Sequence, residues 1–281
     1  MTVPFLSGAD LAERLDVSGA VEVLEAALAG GLDPEADPPR RALELGRGEL
    51  LVMPSAAEGH AAVKLVSVGG DPRIQGVCVV FDGGTLAPAA VVDGVALTNV
   101  RTPAVSALAV RRLAPPEARR LLVFGRGPQA HAHVAAMRAV LGIESVDVVG
   151  RDGGDVAGLV AAADVICCCT TARDPLFDGD LVADRAAVVA IGSHEPDVRE
   201  VDDALARRAT VVVESRNSAL REAGDVIAAI ASGALDRSEL VTLAELVRDE
   251  PAVDMGRPRL FKSTGMAWED AVVGAAVARL V

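Results

Sequence analysis

Tyrosine is absent from this 281-residue chain, aromatic side chains amount to 2%, and there are only four histidines and four cysteines. No mechanism resting on a tyrosine acid is open to it, and a platform of stacked rings for single-stranded nucleic acid cannot be assembled. Positive charge is also short. Against 40 Asp plus Glu stand 27 Lys plus Arg, and the formal charge of −13 repels polyanions, so nucleic acid and acidic membrane surfaces are poor partners. Hydrophobic residues reach 51% and the mean hydropathy is +0.36, yet no window of about 18 residues lacks charges or turn formers, and no membrane span is expected. Met1 to Leu11 contains no basic segment followed by a long apolar run, which points away from a secretory signal and toward a cytoplasmic protein. Cys78 and the consecutive Cys167, Cys168 and Cys169 have neither the dispersed spacing of a disulfide framework nor a CxxC zinc pattern. They read as small buried strand residues, with no metal.

What the chain does contain is enough length for two domains, at about 100 to 200 residues each. From Ser7 to Ala29, Leu11, Leu15, Val21, Leu24 and Leu28 recur at helical intervals until Gly30-Gly31 stops them. After a loop from Asp33 to Pro39, short β-rich runs follow at Leu50 to Met53, Ala62 to Val68, Val77 to Phe81 and Ala89 to Val92. Turns at Asp82-Gly83-Gly84 and Asp93-Gly94 make them an antiparallel meander. Thr102-Pro103 reads as an N-cap and first helical residue of an Ala-rich helix ending near Leu113, which puts Arg101 at the helix mouth. Pro115-Pro116 marks the boundary. Beyond it, strands at Leu121 to Phe124, Ser145 to Val149, Val165 to Cys169, Ala187 to Ile191 and Thr210 to Val213 alternate with helical segments at Gln129 to Leu141 and Val156 to Ala163. That is the texture of a parallel sheet covered by helices. Met266 to Leu280 reads as a last amphipathic helix.

Gly125-Arg126-Gly127-Pro128-Gln129-Ala130 follows an apolar strand and opens a helix, the context in which GxGxxG/A binds a dinucleotide. Gly125 permits the tight turn, Gly127 lets backbone approach the pyrophosphate, and Ala130 takes the helix-packing position. After the second strand comes Arg151, suited to a 2′-phosphate and hence to NADP(H) over NAD(H); Asp152 could instead serve the ribose of NAD, with Arg151 simply solvated. Thr170, after the cysteine run, completes the cofactor-side set. In the meander half, Arg40, Lys64 and Arg101 stand out. A Lys inside an apolar strand is costly unless it snorkels to water or faces an anion, although each cation taken singly suits a solvated surface too. His131 and His133, at i and i+2 of a helix, face different sides and form no metal pair; both read as helix-surface or cofactor-side residues. His60 reads as an exposed turn residue. His194 follows a parallel strand at the carboxyl edge, where such sheets bind ligands, though a bystander loop residue fits as well.

Taken together, these residues resemble the ornithine cyclodeaminase/μ-crystallin family over nearly the whole chain. The likeness is carried by Lys64 to Val68, Gly76 to Phe81 continuing to Arg101-Thr102, Gly125 to Ala130, Gly192 to Glu200, Glu222 to Asp225 and Phe261 to Gly265. The resemblance implies an α/β protein: a Rossmann-type, doubly wound parallel sheet domain at 115–258, and an α+β substrate and dimerisation domain with a mostly antiparallel sheet at 1–114, joined by 259–281. It further implies NAD(P)(H), a small imino or amino acid substrate, and a homodimer. Residues matching Arg40, Lys64 and Arg101 would hold the substrate carboxylate, and Lys64 or His194 would keep the imine protonated. Where the cyclodeaminase branch carries an Asp two residues before a Pro, this chain has His194 before Pro196, closer to imine-reductase and amino-acid-dehydrogenase members. Reduction of a ketimine carboxylate such as pyrroline-2-carboxylate, or its reverse, is therefore expected. Ornithine cyclodeamination and a nonenzymatic, crystallin-like nucleotide-binding protein are the rivals.

Overall fold

In the computed structural model, which describes residues 2–151, 153, 155–250 and 252–279, the turn formers of the amino-terminal half mark strand reversals. The short strand β1 (Phe5–Leu6) leads into helices α1 (Gly8–Arg14) and α2 (Val17–Ala29), started by Ser7 and Asp16, whose side chains accept backbone N–H bonds. Strands β2 (Arg41–Leu45), β3 (Gly48–Ala57), β4 (His60–Val68), β5 (Ile74–Asp82) and β6 (Pro88–Asp93) form the expected antiparallel meander, and β1 adds in parallel to β6. The β3–β4 reversal uses Glu58 and Gly59, both at positive φ, the twist that two-residue hairpins favour. Strand β2 has no period-2 alternation of burial, all five residues being exposed, and the sequence pattern passed it over.

Helix α3 (Gly94–Leu113) corrects one expectation. It starts at Gly94, not at Thr102, because the Asp93 carboxylate accepts the N–H groups of Val95 and Ala96 at 2.9 Å each. Pro103 lies inside it, and Arg101 sits in the helix interior rather than at its mouth.

The second half continues as β7 (Arg120–Phe124), α4 (Pro128–Val140), β8 (Ser145–Val149), α5 (Val156–Ala162), β9 (Val165–Cys168), β10 (Ala187–Ala190), α6 (Asp203–Arg208), β11 (Thr210–Val213), α7 (Arg216–Glu222), α8 (Gly224–Ala231), β12 (Val241–Thr242), α9 (Leu243–Val247), β13 (Arg259–Lys262) and α10 (Ala267–Ala278). Strands β7 to β13 make one parallel sheet in the order β12-β11-β13-β10-β9-β7-β8. Its central strands are buried at every residue, which is why they read as unbroken apolar runs.

Two compact units result: Met1–Val105 with Met266–Val281, and Ser106–Gly265. Residues 259–265 thus belong with the parallel sheet, against the expectation that they rejoin the amino-terminal half. The cause is β13, which inserts between β10 and β11. Arg259 hid this from the sequence pattern: its buried guanidinium is satisfied by the carbonyls of Leu113, Asp184 and Arg185 at 2.7, 3.0 and 2.6 Å, so a charge begins a core strand. In the first unit α10 packs across β3 and β4, whose inward residues Leu51, Met53 and Val66 meet Ala267. Among the described residues no helix is long and apolar enough to cross a membrane.

Candidate functional site

In the second unit the turn after β7 opens a cavity of about 640 Å³ at the carboxyl edge of the sheet, lined by Phe124 to Gly127, Val149 to Arg151, Cys169 to Ala172 and Leu176. Gly125 is required twice over: its φ is +115°, and a Cβ there would collide with the Cys169 carbonyl. Gly127 is the N-cap of α4, makes no side-chain cap, and has open space where a Cβ would be. A 13-residue helix thus starts at a cavity wide enough for a phosphate pair with a glycine N-cap that offers it no side chain, and the residues fit a bound dinucleotide. Arg126 and Pro128 are exposed on the turn, Gln129 is half-buried, Ala130 is buried, and Thr170 is half-buried on the cavity wall. Exposed Arg151 follows β8 on the rim. Asp152 lies outside the described residues.

The first unit carries a buried ion cluster. Lys64, in β4, pairs with Asp270 at 2.7 Å, and Arg101 reaches Glu269 at 2.6 Å and Asp270 at 3.2 Å, all four side chains at 5% exposure or less. The strand Lys thus finds its anion within the chain, and the cost of burying it does not by itself call for a ligand. Burial and the nearby Arg101 pull the Lys64 ammonium below the ordinary lysine range, and Asp270 opposes them. Asp37 accepts Ser55 Oγ at 2.6 Å and the Trp268 N–H at 2.8 Å, tying the start of α10 to the loop before β2. Burial pushes its carboxyl up to about 6 against those two hydrogen bonds, with Asp270 adding to the rise. Arg40 is half-buried and immediately precedes β2, where Arg41 pairs with Val52; the next level of the sheet is Met53 opposite Lys64. Glu269, Asp270 and Asp37 were missed from sequence. The signal for two of them was present, since an acidic pair inside the otherwise apolar run Ala267 to Ala278 demands buried cations as strongly as Lys64 demands an anion.

The histidines separate clearly. His194 is half-buried on the loop after β10. His131 is exposed, but His133 corrects the surface reading: it is fully buried, with Nδ1 at 2.8 Å from the Gln129 carbonyl and Nε2 at 2.9 Å from Ser106 Oγ. Burial lowers its pKa to about 4. His60 is half-buried at the head of β4. Cys167 and Cys168 are buried in β9, and burial pushes the Cys167 thiol up to about 12. Native protein is accordingly expected to keep both thiols unalkylated by iodoacetamide at pH 8 while denatured protein reacts fully, as mass spectrometry of the peptide would show; rapid native labelling would contradict their burial.

A glycine-cornered cradle at the carboxyl edge of the parallel sheet in one unit, and buried cations on a mostly antiparallel sheet in the other, define an α/β protein of the dinucleotide-binding class. The chain belongs to the ornithine cyclodeaminase/mu-crystallin family, whose model matches residues 4–157 and 153–280. It is 35% identical to the ketimine reductase mu-crystallin of Mus musculus, covering 95% of this chain and 94% of the mouse protein. Its identity to a Delta(1)-pyrroline-2-carboxylate reductase of Colwellia psychrerythraea is 33%, over 73% of each chain. Among solved structures, the Delta(1)-pyrroline-2-carboxylate reductase of Thermococcus litoralis in complex with NADH and L-proline superposes with a TM-score of 0.90 at 25% identity, over 99% of this chain and 97% of that one.

Proposed function

We propose that this protein is an NAD(P)H-dependent oxidoreductase that reduces a small ketimine carboxylate, such as pyrroline-2-carboxylate, to the amino acid, or runs the reverse. The observation that carries the reading is the glycine cradle and its uncapped helix start in a chain whose relatives are named as ketimine and pyrroline-2-carboxylate reductases. Those names favour a reductase over a cyclodeaminase or a binding protein without turnover.

When bound, the nicotinamide supplies the hydride. The chain's own residues bind and orient: Gly125, Gly127 and the start of α4 hold the pyrophosphate, with Arg126, Pro128, Gln129 and Ala130 shaping the turn and Thr170 walling the cavity. Lys64 and Arg101, with Arg40, hold the substrate carboxylate. Glu269 and Asp270 already partner Lys64 and Arg101, so an entering carboxylate adds an anion to cations that are already paired. A protonated imine accepts hydride better than a neutral one, and Lys64 or His194 keeps that proton in place. A homodimer belongs to the same reading, supported by the exposed Leu43 and Leu45 on β2.

Turnover followed by nicotinamide absorbance, with NADH and NADPH in parallel against pyrroline-2-carboxylate, piperideine-2-carboxylate and pyruvate plus ammonia or methylamine, tests the reading; no turnover with any of them refutes it. We also propose that Arg151 selects NADPH. A charge-assisted pair with the 2′-phosphate, about 1.5 to 3 kcal/mol, corresponds to a preference of roughly tenfold or more. Arg151→Ala should abolish that preference, and a wild type that prefers NADH would remove Arg151 from the site.

A further inference from the structure

The chain has only two lysines, Lys64 and Lys262, and both are buried. Lys262, the last residue of β13, donates to the Ser193 carbonyl at 2.9 Å and pairs with Asp225 at 3.0 Å. The Asp225 carboxylate also accepts the backbone N–H groups of Glu200 and Val201 at 2.7 and 2.9 Å. Glu200, itself fully buried, spreads its carboxylate over two loops: one oxygen takes the N–H and hydroxyl of Thr170 at 2.9 and 2.7 Å, the other the Gly192 N–H at 2.7 Å. The fit leaves no room for a Cβ on Gly192, which would strike the Thr170 carbonyl and the Glu200 carboxylate.

Burying one ammonium and two carboxylates adds little net stability compared with an apolar packing of similar volume. What this trio determines is position. Its hydrogen bonds end on Thr170, Gly192 and Ser193, at the carboxyl ends of β9 and β10, and the loop it holds carries His194. We propose that Glu200, braced by Asp225 and Lys262, is a positioning residue for hydride transfer, holding the Thr170 and Gly192–His194 backbones in register. This rests on the reductase reading above. A reacting geometry loosened by about 1 Å can cost on the order of 100-fold in rate.

The test is Glu200→Gln, with rates normalised to nucleotide sites titrated by fluorescence, so that an unfolded fraction cannot pass for a slow enzyme. Glutamine has one carbonyl oxygen for the Thr170 groups and presents its NH₂ to the Gly192 N–H, releasing one loop. The expected result is an NADPH Kd within about threefold of wild type, a kcat lowered roughly 10- to 100-fold, and a larger primary deuterium isotope effect from 4-deuterated nucleotide. Lys262→Met combined with Asp225→Asn removes the ion pair and leaves the Glu200 carboxylate to its Thr170 and Gly192 hydrogen bonds alone. It should show the same split, and ¹⁵N-lysine spectra of this variant should keep the Lys64 signal alone. An unchanged kcat per site in both variants overturns the proposal while leaving the reductase reading intact. A wild type that binds nucleotide but turns nothing over overturns both.

Discussion

Replacing Lys64 or Arg101 by Met is expected to lower kcat/KM on a cyclic imino acid by roughly 30-fold to several thousand-fold while nucleotide affinity stays close to wild type. Losing one side of a desolvated charge-assisted contact costs about 2 to 5 kcal/mol, and both side chains are nearly sealed from water. All partners of the cluster lie in the first unit and the glycine turn proposed to hold the nucleotide lies in the second, which is why the two constants should part. Each single variant also leaves Glu269 and Asp270 short of a cation, so a loss of stability of about 3 to 5 kcal/mol accompanies it. Lys64→Met with Asp270→Asn separates the effects: the restored charge balance should recover the melting temperature, and turnover should stay low. Near-wild-type turnover in both single variants would remove these cations from substrate binding.

The second large effect is on stability in acid. His133 is buried with its pKa depressed to about 4, while an unfolded histidine titrates near 6.5. Between those values the unfolded chain takes up a proton that the folded chain refuses, so stability present above about pH 6.5 drains away as the pH falls toward 4. At 1.36 kcal/mol per unit the loss amounts to about 3 kcal/mol. Asp37 works the other way: its carboxyl is raised to about 6, so it gains its proton more readily when folded, and part of the loss is offset in the same window. Urea titrations of wild type and His133→Gln across pH 4 to 7 isolate the histidine. The variant should be less stable at pH 7 and should lose less on acidification; equal pH slopes in the two proteins would show that His133 does not titrate this way.

Much of the architecture was legible because local rules and the fold agreed. The strand Leu121 to Phe124, its glycine turn and the helix after it obey requirements that a dozen residues can express: an apolar run, a positive φ at Gly125, an uncapped helix start at Gly127. The meander was readable from its turn formers. The misses have one physical origin, side chains answered by distant partners. Thr102-Pro103 carries a helix-start signature, but Asp93 had already started α3. Arg259 looks like the end of a loop until carbonyls from two distant segments surround it. His133 looks like a surface residue until Ser106 accounts for its second nitrogen.

By itself, then, the sequence determined the two kinds of sheet, the place of the glycine turn between β7 and α4 and the short set of cations worth asking about, because these follow from residue type and near-neighbour spacing. Only the tertiary structure decided which charges meet. Lys64 and Asp270, Arg101 and Glu269, Glu200 and Thr170 are separated by 30 to more than 200 residues and are joined by strand order and the packing of α10 and β13. The energy of a buried charge depends on its partners within a few ångströms, and sequence spacing says nothing about contacts of that kind.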